Sequence, residues 1–231
     1  MFPMFFDSTY VLVIIGLVLC LAASAKLKAT FSKYSRVRHH GGLTGRDAAE
    51  RILRDSGIHD VQIEHVSGNL TDHYDPRSKT LRLSDATYGS ASVAAIGVAA
   101  HECGHAIQHA HGYGPLRARA TLVPVANIGS KLAIPLILIG FFINNQSSMM
   151  LINAGIILFS VAVLFQVVTL PVEYNASSRA IRILNDSSMM YKEELVGARK
   201  VLNAAALTYL AGTAASALQL IRLIILARGR R

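Results

Sequence analysis

Residues 93–107 read VAAIGVAAHECGHAI, and this stretch sets what the rest of the chain has to build. On a helix, His101 and His105 stand four residues apart on one face and can share a zinc ion. Glu102 between them can reach a water at that metal as general base. The residues around the motif are small or apolar, which points to a buried segment. Buried His and Glu side chains need a partner to offset their desolvation, and a metal is the natural one. The pattern is a hydrolase signature, most often of a metalloprotease. The competing reading is a chance match to three fixed positions, and it weakens as the rest of the chain is read.

The chain has 231 residues, of which 52% are hydrophobic and 16% charged. With a mean hydropathy of +0.39 it is too apolar for an ordinary soluble domain and reads as a membrane protein. Cys20 sits in an apolar run and Cys103 inside the motif, so no disulfide framework is on offer. Cys103, two residues past His101, points to the opposite side of a helix and reads as packing. The net charge of +9 comes with no basic helix or aromatic platform, so no nucleic-acid partner is expected.

Residues 9–25 are uncharged and long enough to cross a bilayer; Asp7 precedes them, while Lys26, Lys28, Lys33, Arg36 and Arg38 follow. That asymmetry argues for an anchor with its N-terminus outside and the following segment cytoplasmic, against a cleaved signal peptide ending at Ala23-Ser24-Ala25. Residues 26–122 are mixed and soluble-looking. His39-His40-Gly41-Gly42 reads as an exposed basic loop, and Thr44 as the cap of a helix from Gly45 to about Ser56. Residues 61–66, 70–74 and 80–84 alternate and are punctuated by turn residues, which predicts a small antiparallel sheet ahead of the motif helix. After the motif, His111 has the spacing of a metzincin third ligand, but Gln108 stands where those enzymes have Gly.

Two apolar stretches, 122–143 and 149–170, are joined by Asn144-Asn145-Gln146-Ser147-Ser148 and form a membrane hairpin. Glu173 follows directly. A lone carboxylate at the end of a membrane helix is costly unless it is paired or liganding, so Glu173 is the best third zinc ligand; a snorkelling interfacial Glu is the alternative. Two His and one Glu would leave the fourth position for water, the gluzincin arrangement. Residues 192–200, with Lys192, Glu193, Glu194, Arg199 and Lys200, read as a solvated face rather than a site. A last apolar run, 201–227, either spans or lies at the interface; Arg222 within it, and Arg228, Arg230 and Arg231 after it, strain a spanning reading.

The pieces DHYDPRSKTLRLSDATYGS (72–90), AAHECGHAIQH (99–109) and LPVEYNASSRA (170–180) resemble the YugP-like bacterial neutral zinc metallopeptidases over essentially the whole chain. The resemblance implies His101, His105 and Glu173 as ligands of one zinc per chain and Glu102 as catalytic base. A more distant similarity links the chain to the HtpX-type membrane proteases, whose third-ligand motif is ExxAD. Here Ser177 stands where their Asp would be, leaving Asn175, Ser177 or Arg179 to orient a liganding His. His109, Tyr174, Arg179 and Tyr209 are candidates for stabilising the oxyanion.

The expected architecture is a mainly α membrane protein with a small zincin-like α+β catalytic domain and three or four transmembrane helices. Its parts are an anchor (1–25), a cytoplasmic catalytic domain carrying the HExxH helix (26–122), a transmembrane hairpin (123–170), a helix with the third ligand (171–203), and a C-terminal hydrophobic helix with a basic tail (204–231). The expected activity is zinc-dependent hydrolysis of peptide bonds in membrane or misfolded proteins, at the cell membrane, with the lipid bilayer and a protein or peptide substrate as partners. A membrane scaffold or chaperone subunit with a structural zinc site is one alternative, and a metal-handling membrane protein using His39, His40, His109 and His111 is another.

Overall fold

The computed structural model describes residues 7–143 and 147–229; the middle of the polar hairpin link and Arg230 and Arg231 lie outside the described residues. Along the chain run α1 (Tyr10–Tyr34), α2 (Gly45–Asp55), β1 (Gln62–Val66), β2 (His73–Asp75), β3 (Thr80–Ser84), α3 (Val93–Ala110), α4 (Gly114–Phe142), α5 (Ser148–Asp186) and α6 (Lys192–Arg228). The protein is mainly α, with one small α+β region. Two compact units emerge: Met1–Ala23, Arg117–Leu170 and Thr208–Arg231 form one, Ser24–Leu116 and Pro171–Leu207 the other. The helices α1, α4, α5 and α6 therefore each contribute residues to both units.

Among the described residues α1, α4, α5 and α6 are long and apolar enough to cross a membrane. On α1, Val11, Ile14, Ile15, Leu17, Val18 and Leu21 are exposed, as a lipid-facing surface requires. The hairpin arms α4 and α5 approach at small residues: a Cβ on Gly155 would lie 2.7 Å from the Ala133 carbonyl oxygen. The last helix runs antiparallel to the first. Arg222 pairs with Asp7 at 3.5 Å and stands over the Tyr10 ring, while Gly16 lies against Ala215. The Arg that strained a spanning reading of the last helix thus has a carboxylate and an aromatic face, and is only 7% exposed.

In the second unit the sheet departs from the expected antiparallel one. Its order is β1-β3-β2, with β1 parallel to β3 and β2 antiparallel to it. The alternation in the sequence says which side chains share a face, but not which strand becomes the neighbour. Two carboxylates brace the observed order. Asp72 accepts from the Ser84 N–H and hydroxyl, and Asp85 accepts from the Gly68 N–H, which carries the chain across the end of β3 before it turns back. The second strand is accordingly only three residues long, not the five expected from 70–74. The central strand β3 buries Leu81 and Leu83 completely.

The helix expected after Thr44 forms as α2, closed by a capping box in which Thr44 and Asp47 serve each other's backbone N–H. Its buried face, Ala48, Ala49, Ile52 and Leu53, packs with β3 and with Ile96, Ala99, Ala100 and Cys103 of α3 into one core. That core covers one side of α3 and leaves His101 and His105 on the side that α5 meets.

Candidate metal centre

The motif helix α3 begins at Ser92, whose hydroxyl accepts from the Ala95 N–H. Helical spacing brings the His101 and His105 rings to a centroid separation of 4.7 Å. At residue 171 the chain enters the same unit on α5, and Glu173 projects between the two rings. Its Oε2 lies 3.3 Å from His101 Nε2 and 3.5 Å from His105 Nε2. One ligand atom from each of the three side chains falls within 4.8 Å of the others. Glu173 is 2% and Glu102 8% exposed, so the cluster is nearly dry.

The other side of each imidazole is held. The Gln108 Nε2 amide donates to the Val172 carbonyl and to Asn175 Oδ1, both of which can only accept. This fixes the amide with Oε1 toward His105 Nδ1, at 3.0 Å, so Nδ1 carries the proton and Nε2 presents a lone pair. His101 Nδ1 lies 3.1 Å from the Ser177 hydroxyl. Arg179 Nε donates to Asn175 Oδ1 at 2.8 Å and completes the chain of bonds. Two imidazole lone pairs and a carboxylate oxygen converging at this spacing, with both Nδ1 positions engaged, fit a zinc ion. The same geometry favours positive charge. Burial alone would make His105 less basic, but the hydrogen bond to Glu173 and the charges of Glu102 and Glu173 outweigh it and raise its pKa.

Of the residues proposed to orient a ligand in place of the missing Asp, Ser177 stands against His101, and Asn175 acts one bond further out through Gln108. Sequence reading missed Gln108 itself. Its signal was a fully buried polar side chain three residues past His105, on a helix that is otherwise apolar there. Gln108→Leu keeps the volume and removes the acceptor for His105 Nδ1–H. It is expected to weaken zinc binding about 10–100-fold, checked by competition with a zinc chelator.

His109 sits outside the cluster: its Nδ1 is 2.9 Å from the Tyr74 hydroxyl, which ties the end of α3 to β2. Burial and the charges of Asp60 and Asp75 push Tyr74 up to about 12, so it stays a phenol and can donate to that nitrogen. His111 is exposed at the end of α3 and belongs to no ligand-like group among the described residues. Cys103 is completely buried, its thiol facing the Ala49 carbonyl on α2; burial pushes its pKa up, as for an inert packing residue. Tyr174 is 44% exposed.

Two sequence readings are corrected by a second cluster. His39 is 2% and Glu194 8% exposed, where an exposed loop and a solvated face were expected. Glu194 accepts from the His40 N–H, the His40 ring and the Tyr191 N–H, and so caps α6 while clamping the loop. The three side chains lie close enough to hold an ion. Both His39 nitrogens are in use, however: one faces the Met189 carbonyl and the other accepts from the Leu43 N–H. This cluster is a structural clamp.

Residues 9–228 match the family described as "Putative neutral zinc metallopeptidase". The chain belongs to this family. It is 46% identical over 215 residues to the "Putative membrane protease YugP" of Bacillus subtilis (strain 168), covering 93% of this chain and 94% of that one. No solved structure matches it. Family membership makes zinc the expected metal, and the four apolar helices fit a multi-pass membrane protein.

Proposed function

We propose that this chain is a zinc-dependent endopeptidase of the cell membrane, with one zinc per chain held by His101, His105 and Glu173 and with Glu102 as general base. The observation that carries this reading is the Glu173 oxygen set between two Nε2 atoms whose Nδ1 partners are already held. Zinc bound there would supply a Lewis acid that acidifies a water and polarises a peptide carbonyl. Glu102 takes the proton from the water and returns it to the departing amine. The near-complete burial of the cluster limits competing solvent around that carboxylate. Candidate donors to the developing oxyanion are Tyr174, Arg179 and the Nε2 of His109; only the Nε–H of Arg179 is engaged, by Asn175, and its other N–H groups can still donate.

The catalytic unit faces the cytoplasm in this reading. Five cationic residues follow the first span, which supports this orientation, and the Asp7–Arg222 pair fits a last helix that spans antiparallel to the first. The substrates are membrane-associated or misfolded proteins, a choice supported by the membrane setting.

The test is metal content together with casein cleavage by the detergent-purified protein. About one zinc per chain is expected, with cleavage lost on chelation and restored by adding zinc back. Cleavage that survives complete zinc removal, or a protein that takes up no zinc, sinks the proposal.

A further inference from the structure

Lys131 stands on α4 midway between Arg119, the last charge before the apolar run, and Ile143 at its end. About 18 Å of helix separates it from either, which is the middle of a bilayer that this helix crosses. The buried side of α4 is Ala126, Gly129, Ala133, Ile137 and Gly140, and it packs on α5. Lys131 and Asn127, one turn apart, lie on the side turned away and are exposed, with Ser130 exposed beside them. A lipid-facing surface has no use for them: from Val11 to Ala22 every exposed residue of α1 is apolar. Snorkelling serves lysines near helix ends, and at mid-depth the four-carbon stem falls short of the headgroups. Arg222, inside α6, has the Asp7 carboxylate at 3.5 Å. Lys131 has no ion-pair or hydrogen-bond partner for its ammonium among the described residues. The backbone opens at the same turn, because Pro135 has no N–H to give the Lys131 carbonyl.

We propose that this face of α4 holds a membrane-spanning helix of another protein, one that carries an Asp or Glu near the middle of the bilayer. Charge and depth together select that occupant. Residues 9–25, 122–143, 149–170 and 201–227 contain no Asp or Glu, so a second copy has no carboxylate to offer at this depth, and pairing the two faces would set one lysine against the other. Lipid phosphates lie at the bilayer surface, about 15 Å from its centre, and free anions do not enter the hydrocarbon. A carboxylate carried on an apolar helix arrives at the right depth, and each charge then offsets the cost of burying the other. The Asn127 amide adds a donor and an acceptor across the helix pair. The Ser130 hydroxyl, which donates to the Asn127 carbonyl, keeps its lone pairs to accept. The stripe lies in the unit that does not contain the metal cluster, so the proposal stands apart from the endopeptidase reading.

The experiment reconstitutes the full chain, labelled with an energy acceptor, in phosphatidylcholine vesicles. The probes are donor-labelled single-span Leu-Ala peptides that carry Glu, Gln or Lys at their central position. Energy transfer is expected to report association of the Glu peptide about three- to tenfold stronger than of the Gln or Lys peptide. Lys131→Leu is expected to abolish that preference with zinc content and thermal midpoint unchanged. Lys131→Glu is expected to move the preference to the Lys peptide, a gain that a damaged fold could not produce. Equal association of the three peptides with wild type, or a Glu preference that survives in Lys131→Leu, overturns the proposal. Loss of the preference when phosphatidylglycerol is added makes a lipid headgroup the occupant. Transfer between donor- and acceptor-labelled copies of the wild-type chain that disappears in Lys131→Leu makes it a second copy. Either result also overturns the proposal.

Discussion

Glu102→Gln is expected to keep its zinc and lose peptide cleavage by a factor of about 10²–10⁴ in kcat, the contribution of a positioned general base. The substitution is nearly isosteric and removes none of the atoms that converge at the cluster, since these belong to His101, His105 and Glu173. It removes the one carboxylate beside the histidines that the ligand set leaves free to carry a proton. Zinc content and steady-state cleavage, measured on one preparation, separate the two roles. A Glu102→Gln protein that cuts as fast as wild type would show that the proton is carried elsewhere. A protein that loses zinc along with activity would make Glu102 part of the ligand shell. Retention of the cellular role by the inactive protein would favour a scaffold with a structural zinc.

Gly104→Val is expected to empty the metal site without touching a ligand. A Cβ at residue 104 would lie 2.7 Å from the Ala176 carbonyl oxygen and 3.1 Å from its Cα, and both are helix backbone that cannot rotate away. The helices α3 and α5 must therefore separate there, and Glu173 and Ser177 ride on the helix that moves. Zinc tolerates errors of only about 0.2 Å in its ligand distances, so a shift of half an ångström already breaks the set. Overpacking of this kind costs about 1–3 kcal/mol in stability as well. The measurement is zinc per chain and thermal midpoint, beside Gly212→Ala, where an added methyl meets nothing within 4 Å. Full zinc occupancy in Gly104→Val would mean that the close approach of α3 and α5 does not position the third ligand.

The close approach of Gly104 to Ala176 is invisible in the local sequence. The four residues of HECGH that carry or border chemistry are legible because helical periodicity is local: spacing alone places His101 and His105 on one face. Gly104 carries no signal of its own, since nothing nearby in the chain reveals that another helix presses against it. Gln108 was weighed only as the wrong residue for a metzincin turn, yet it sets the tautomer of His105 through partners on α5. His39 and Glu194 were read as solvated because each is polar in a polar stretch; their burial comes from each other and from the chain between α5 and α6. The sheet direction failed for a similar reason. Alternation fixes faces, whereas the neighbour of β3 depends on how the connecting loops cross it, and Asp72 and Asp85 hold those loops.

Composition, hydropathy and the charge step after residue 25 determined by themselves that the chain has several helices of membrane length and one small mixed region. The HECGH spacing determined two of the converging donors, and a lone carboxylate after an apolar run singled out Glu173. Such patterns are read from neighbours a few residues away, whose geometry the helix fixes. The tertiary structure alone decided that Glu173 stands 3.3 and 3.5 Å from the two Nε2 atoms, that Ser177 and Gln108 hold the opposite nitrogens, and that Arg222 meets Asp7. Those contacts join segments far apart in the chain, and their distances are set by how closely whole helices pack.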